Sequence, residues 1–308
     1  MSSFLCHTKI MQNKHISHPE DEILTGNLSV LDWFSEVDSF ISVKMDGAPA
    51  VCWGANPSNG KFCVGTKSVF NKVKIRVAHS HEEIDQFYEG KVADILHLCF
   101  EYLPRTKNFY QGDWIGAGGS QEYKPNTITY KFPEIVRQEI IICPHTYYTG
   151  DRLPEMVAHP ITSKFVSTKT VLFVQPAVSL NPYREDLEDV CKFAKQMSTL
   201  CEFVSDRKAS QIKKEINACI REQKVVDENE IAEKCDCDIN LLRLHKLVAS
   251  IKVDLFMFIH EEDDIECSIG DDLSFHEGYV IHNQFGSYKV VDREVFSHHN
   301  FVTPKTWG

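Results

Sequence analysis

The sequence predicts an α+β chain in which a strand-rich body is interrupted by a helical insertion. Three observations carry that expectation. Residues 1–182 hold short apolar runs separated by turn signals, the habit of β-strands. Residues 183–262 contain no Gly and no Pro, and their apolar side chains recur three and four apart, the habit of helices. After the break at His260–Asp264, strand signals return. The body is therefore expected to comprise 1–182 and 266–308, with the insertion at 183–265.

The elements follow in order. Val30–Phe34 reads as a short helix, and Phe40–Val43 as the first strand. Ala50–Trp53 and Phe62–Val64 read as a hairpin, because Asn56-Pro57-Ser58-Asn59-Gly60 between them is rich in turn formers. Ile84, Phe87, Tyr88, Val92, Ile95 and Leu96 recur at helical spacing and predict one amphipathic helix over His81–Leu98. Thr127–Phe132, Ile140–Cys143 and Val171–Val174 complete the strands of the first part. The insertion is expected to form helices at about 185–203, 207–223, 228–235 and 239–260. Asp227 suits an N-cap there, with Glu230 three residues on as in a capping box. Gly278–His282 and Ser287–Val291 are the closing strands.

At 308 residues and 35.3 kDa the chain can bury a sizeable core. Hydrophobic residues at 43% and charged residues at 25% fit a soluble globular protein and exclude a disordered one. No run of eighteen apolar residues is present, so no membrane span is expected. The start, MSSFLCHTKIMQNKH, lacks the apolar core of a secretory signal. A formal charge of −11 argues against a protein that merely coats nucleic acid, which needs surplus Lys and Arg. Basic residues still gather at Lys67, Lys72, Lys74 and Arg76. The 11 Cys are odd in number and scattered without a Cys-x-x-Cys, which points to a reducing, cytoplasmic setting. Cys235 and Cys237 flank a single residue, a poor zinc chelate, and are expected to be free thiols.

The most informative stretch is Ser42-Val43-Lys44-Met45-Asp46-Gly47-Ala48-Pro49-Ala50. It sets Lys44 at the end of an apolar strand, with Asp46 and Gly47 at the turn beyond. A partly desolvated Lys at such a place loses its proton more readily and can act as a nucleophile. Gly47 would let a ligand approach the backbone. The same tetrad also suits a plain β-turn with a solvated Lys.

Other segments add weight. Val64-Gly65-Thr66-Lys67-Ser68 follows the first hairpin. Phe109-Tyr110-Gln111-Gly112-Asp113-Trp114-Ile115-Gly116 places an acid between glycines and aromatics. His276-Glu277-Gly278-Tyr279-Val280-Ile281 sets Glu277 at the rim of an apolar strand, and Ser287-Tyr288-Lys289-Val290-Val291 follows it. Together these resemble, in order, the motifs of the covalent nucleotidyltransferase superfamily. That superfamily contains ATP-dependent DNA and RNA ligases and GTP-dependent mRNA capping enzymes, and Lys-x-Asp-Gly is its nucleophile motif. The Asp-Gly-Ala-Pro-Ala and Gly-Thr-Lys-Ser wording also resembles uncharacterised phage and viral ligase-like proteins. The resemblance covers 42–132 and 274–295 and leaves the helical segment out.

The resemblance implies an antiparallel-sheet adenylation domain and a covalent lysyl-AMP on Lys44. It implies that Asp46, Gly47, Lys67, Asp113, Glu277 and Lys289 bind the nucleotide, with Glu277 and Asp113 holding Mg²⁺. Lys289 would lower the pKa of Lys44 and meet the α-phosphate. Glu101 is a rival to Asp113 for the acidic role. Partners would be RNA or DNA ends bearing a 5′-phosphate and a 3′-hydroxyl, joined at the cost of ATP. Two departures stand out. The last motif normally carries a Lys-x-Lys pair, whereas here Lys289 has only Arg293 four residues on, and no following OB-fold is expected. The second departure favours an RNA-ligase-like reading. A capping-type transferase and a catalytically silent nucleotide-binding module remain open beside it. The helical segment is expected to form a separate lobe that serves the polynucleotide.

Overall fold

A computed structural model describes residues 16–270, 272–274 and 276–293; the chain start read above for a secretory signal lies outside them. Helices α1 (Pro19–Ile23) and α2 (Ser29–Ser35) come first. Strands β1 (Phe40–Lys44), β2 (Ala50–Ala55) and β3 (Phe62–Gly65) follow, then helices α3 (His81–Phe87) and α4 (Gly90–Tyr102). Next are β4 (Phe109–Ala117), β5 (Glu122–Tyr123), β6 (Thr129–Lys131) and β7 (Ile140–Thr149). Three short strands, β8 (Val157–Pro160), β9 (Val171–Phe173) and β10 (Val178–Leu180), lead to the helical segment. That segment holds α5 (Glu185–Ser198), α6 (Asp206–Arg221), α7 (Glu228–Cys235) and α8 (Ile239–Asp254). Strands β11 (Ile259–Glu261), β12 (Glu266–Ile269), β13 (Asp272–Ser274), β14 (Gly278–Asn283) and β15 (Gly286–Val290) close the described chain. The architecture is α+β, and its strands pair antiparallel except for β9 against β7.

Two sheets frame the region around Lys44. The larger runs β3-β2-β4-β7-β8, with β9 beside the first half of β7. The smaller runs β1-β14-β15, its register set by Ser42↔Val280↔Lys289 and Lys44↔Gly278. Side chains alternate across a strand, so Ile41, Val43, Tyr279, Ile281, Tyr288 and Val290 turn inward and are buried. Ser42, Lys44, Val280 and Lys289 share the opposite, half-buried face. A further sheet, β13-β12-β6-β5, pairs β6 with β12, where the chain returns from the helical segment.

The hairpin at Asn56–Gly60 forms as read: Gly60 adopts a left-handed φ of 70°, and its N–H donates to Asn56 O at 2.7 Å. Asp227 caps α7 by accepting from the N–H groups of Asn229 and Glu230. The helix expected over His81–Leu98 is two helices. Tyr88 turns extended (φ −134°, ψ 154°), and its hydroxyl meets Thr66 N at 3.2 Å and Ser68 Oγ at 3.0 Å. It also donates to Arg76 O at 2.7 Å. Three tertiary partners for one hydroxyl outweigh one more helical turn.

The helical segment does not stand apart as a lobe. Ala194, Ile212, Ile216, Leu241, Leu244, Val248 and Ile251 belong to one continuous core with Ile23, Trp33 and Phe34 of α1 and α2 and with the buried side of the smaller sheet. Its amphipathic faces found their partners in the body, because α1 and α2 are too short to cover that sheet alone. A second core joins Val51, Trp53, Ile84, Leu96, Ile140 and Phe173 between the larger sheet and α3–α4.

Candidate active site

Lys44 ends β1 opposite Gly278, and Glu277 directly precedes that partner at the start of β14. Their side chains form an ion pair between Lys44 Nζ and Glu277 Oε2. Only 31% of the Lys44 side chain and 13% of the Glu277 side chain are exposed, so the pair is poorly screened by water. Two segments more than two hundred residues apart thus meet through a sheet register that periodicity alone does not reveal.

The electrostatics correct one expectation. Burial by itself would lower the Lys44 pKa, yet the Glu277 carboxylate, with Asp113 and Asp46 beyond it, outweighs burial and holds the ammonium above its ordinary range. Lys289 does not win. Instead, burial and the charge on Lys44 push Lys289 below its ordinary value. Burial also raises Glu277, with Asp46 and Asp113 adding to the rise against Lys44. Lys44 is therefore a paired ammonium, and Glu277 is a carboxylate with heightened affinity for a proton.

Asp46 has a different part from the ligand role expected of it. It is 5% exposed and accepts from Asn126 Nδ2 (2.7 Å), Thr127 N (2.7 Å) and Ile128 N (3.1 Å). Its own N–H donates to Tyr130 Oη at 2.5 Å. Asp46 thus clamps the loop before β6 onto the turn after Lys44. Gly47 is also a packing position. A Cβ there would lie 2.7 Å from Asp113 Cβ and 2.9 Å from Trp114 O. Gly278 obeys the same logic at φ 150°, where a Cβ would fall 2.2 Å from Val290 O.

The close approach at Gly47 joins the two sheets. Ala48 N donates to Trp114 O and Trp114 N donates to Pro49 O, each at 3.0 Å. Asp113, paired with Ala50 and Cys143, is thereby carried to the Lys44 side. Its carboxylate is 23% exposed and stands 3.5 Å from His145 Nε2. Motif reading missed His145, which lies on β7 and follows an apolar run resembling any buried strand. Glu101 lies elsewhere: it is in the last turn of α4, is exposed, and sits 3.8 Å from His81. Of the two, Asp113 is the one whose charge reaches Lys44.

Lys67 is exposed, in a short 3₁₀ turn at Lys67–Phe70 after β3. It does not join the ion pair, but the Cys52 thiol feels both its charge and that of Asp113. Arg293 is not a substitute for the missing second Lys. Its guanidinium is spent on Glu20 Oε1 (3.1 Å), Asp21 Oδ1 (2.9 Å) and Asn217 Oδ1 (3.0 Å).

The comparisons place this chain in a family without assigning its chemistry. Residues 13–239 and 228–305 match the model of a family described as "Family of unknown function (DUF6267)". The chain belongs to that family. No curated protein and no solved structure matches it. For this DUF6267 chain, then, chemistry is read from the site alone. No helix among its described residues is long and apolar enough to cross a membrane. A cavity of about 340 Å³ lies away from the Lys44 cluster, between α6, α7 and α8, lined by Ile216, Ile231, Leu242, Lys252 and Arg293.

Proposed function

We propose that this DUF6267 chain is an ATP-dependent nucleotidyltransferase of the polynucleotide-ligase kind, with Lys44 as nucleophile and RNA ends as its acceptors. One observation carries the reading. Lys44, Asp113, Glu277 and Lys289, distant in sequence and each in a motif resembling that superfamily, cluster at one junction between two sheets.

The reaction follows from the residues. Lys44 as an ammonium has no lone pair and must first lose a proton. Glu277, hydrogen-bonded to Lys44 Nζ and raised by burial, is the acceptor at hand. Neutral Lys44 then attacks the α-phosphorus of ATP; the N–P bond forms, the bond to pyrophosphate breaks, and lysyl-AMP remains. Lys289, beside Lys44, offsets charge on the α-phosphate. In the joining steps AMP passes to a 5′-phosphate, and a 3′-hydroxyl displaces it.

The fit of Mg²⁺ is a matter of charge. Lys44 and Lys289 face Asp46, Asp113 and Glu277, which leaves no positive surplus for a triphosphate. Carboxylate oxygens suit a hard cation: Asp113 would hold it throughout, and Glu277 only while ionised, before it takes the Lys44 proton or after it has passed that proton on. When bound, Mg²⁺ would supply positive charge against the phosphates.

Incubation with α-labelled ATP, then GTP, tests the reading. Covalent label on Lys44, lost in Lys44→Ala, is the expected result, and label on another residue or none refutes it. A panel of 5′-phosphorylated RNA and DNA strands then separates joining from transfer without joining. A second reading, a silent nucleotide-binding module, is favoured by the ion pair that keeps Lys44 protonated and by the commitment of Arg293 elsewhere. ATP binding without label is its signature.

A further inference from the structure

Behind Glu277 lies a second cluster that the proposed reaction does not use. Glu261 ends β11, Asp263 stands in the loop that follows, and His276 directly precedes Glu277. One donor atom from each lies within 4.8 Å of the other two. His276 Nε2 stands 3.3 Å from Asp263 Oδ2. We propose that Glu261, Asp263 and His276 bind a divalent transition-metal ion of the zinc class.

Two features distinguish this arrangement from an ordinary His–Asp pair. The first is charge and donor type: two carboxylates converge on one imidazole, so even a protonated His276 leaves a negative excess. An N,O,O donor set on one point suits Zn²⁺, whereas an all-oxygen set suits Mg²⁺. The second is that groups outside the triad orient every ligand, as in metal sites generally. Nδ1 of His276 faces Cys267 Sγ at 3.5 Å, which leaves Nε2 for the ion. Tyr279 Oη donates to Glu261 Oε1 at 2.6 Å, and Ile265 N donates to Asp263 Oδ1 at 2.9 Å. The His276 ring also lies over Tyr130, with centroids 5.9 Å apart and planes 27° apart. His276 is therefore held on three sides, and Glu261 is the exposed member of the triad.

The placement gives the ion a consequence. Tyr130 holds the Asp46 N–H, and His276 is the neighbour of Glu277, so an ion here would stiffen both supports of Lys44. The site does not rest on the nucleotidyltransferase reading, since none of its three ligands takes part in that reaction.

Titration of the metal-free full-length chain with Zn²⁺, with Mg²⁺ as control, tests the proposal. One Zn²⁺ per chain is expected, undisplaced by excess Mg²⁺. Glu261→Gln, a surface change that leaves folding intact, and Asp263→Asn should each weaken binding at least tenfold. Lys44→Ala and Cys237→Ser should leave it unchanged. Co²⁺ in place of Zn²⁺ should give the d–d bands of an N,O site without a strong thiolate charge-transfer band, because Cys267 lies on the wrong nitrogen to be a ligand. Absence of saturable Zn²⁺ binding overturns the proposal. So does binding indifferent to Glu261→Gln, or binding abolished by Cys237→Ser with a thiolate band.

Discussion

Lys44 carries a testable consequence independent of any substrate. Its carboxylate neighbours, led by Glu277, outweigh burial and hold its pKa above the ordinary value near 10.4. The sign follows from linkage. A raised Lys contributes its full stability below the unfolded-state pKa and loses it as pH climbs through the folded value. Acylation of Lys44 by an amine-selective reagent, mapped by mass spectrometry, should therefore set in at higher pH than in an unstructured lysine peptide. Glu277→Gln should move that onset downward, because burial and Lys289 then act without their main opponent. An unmoved onset would mean that Glu277 does not govern the amine. Asp46 makes a second residue-scale case. Asp46→Ala would strand the N–H groups of Thr127 and Ile128 in a buried setting, at a cost of about 3 kcal/mol. Urea denaturation measures it, and a loss near zero would show that water replaces the carboxylate.

The helices are the decisive elements. Had they formed an independent lobe, a short Gly/Ser linker in place of residues 184–261 would leave the site intact. They instead share a core with α1, α2 and the buried face of β1-β14-β15, the sheet that aligns Lys44 with Glu277 and Lys289. The deletion also removes β11, and it should yield a chain with no cooperative thermal transition and no reactive Lys44. A folded, labelled product would restore the separate-lobe view. Charge in this segment has structural uses as well: Lys195 pairs with Asp32 of α2, and Lys208 reaches the backbone of Asp236.

Across the molecule, a buried ionic network ties the two ends of the described chain to α8. Glu20 is fully buried and accepts from Lys252 Nζ at 2.6 Å and from Arg293 Nη1 at 3.1 Å. Asp21 pairs with Arg293 and His245. Removing one partner of such a network leaves an uncompensated buried charge, so Glu20→Ala should cost about 3–5 kcal/mol. Replacing Glu20 and Lys252 together by apolar residues of similar size should cost less than the single change. Chemical denaturation of both variants decides it, and a double variant as unstable as the single one would contradict the account. The network also sets the acid limit. Burial would raise Asp21, but hydrogen bonding to His245 and the charge of Arg293 prevail and depress it. A depressed Asp contributes its stability in full above the unfolded-state value near 3.9 and loses it as pH falls toward the folded one. Thermal scans should show the midpoint dropping below about pH 4.

The division between sequence and tertiary structure follows from range. Period-two alternation and turn chemistry are local, so β1, the β2–β3 hairpin, β14 and β15 were legible within a residue or two. The four helices were legible in number and at their starts, from the loss of Gly and Pro and from the Asp227 cap, but the expected ranges 185–203 and 239–260 overran the ends of α5 at Ser198 and α8 at Asp254. The motif residues Lys44, Asp113, Glu277 and Lys289 were legible as residue types in their segments. Their meeting was not, because it depends on the Lys44↔Gly278 register and on Gly47 packing against Asp113. The roles of Asp46, Tyr88 and Arg293 also lay outside the sequence, since each side chain was decided by distant partners it found only after folding. The same holds for Glu261, Asp263 and His276, whose spacing matches no compact ligand pattern. Local propensity specified which elements form; hydrogen bonds and charges between distant segments decided what each polar side chain does.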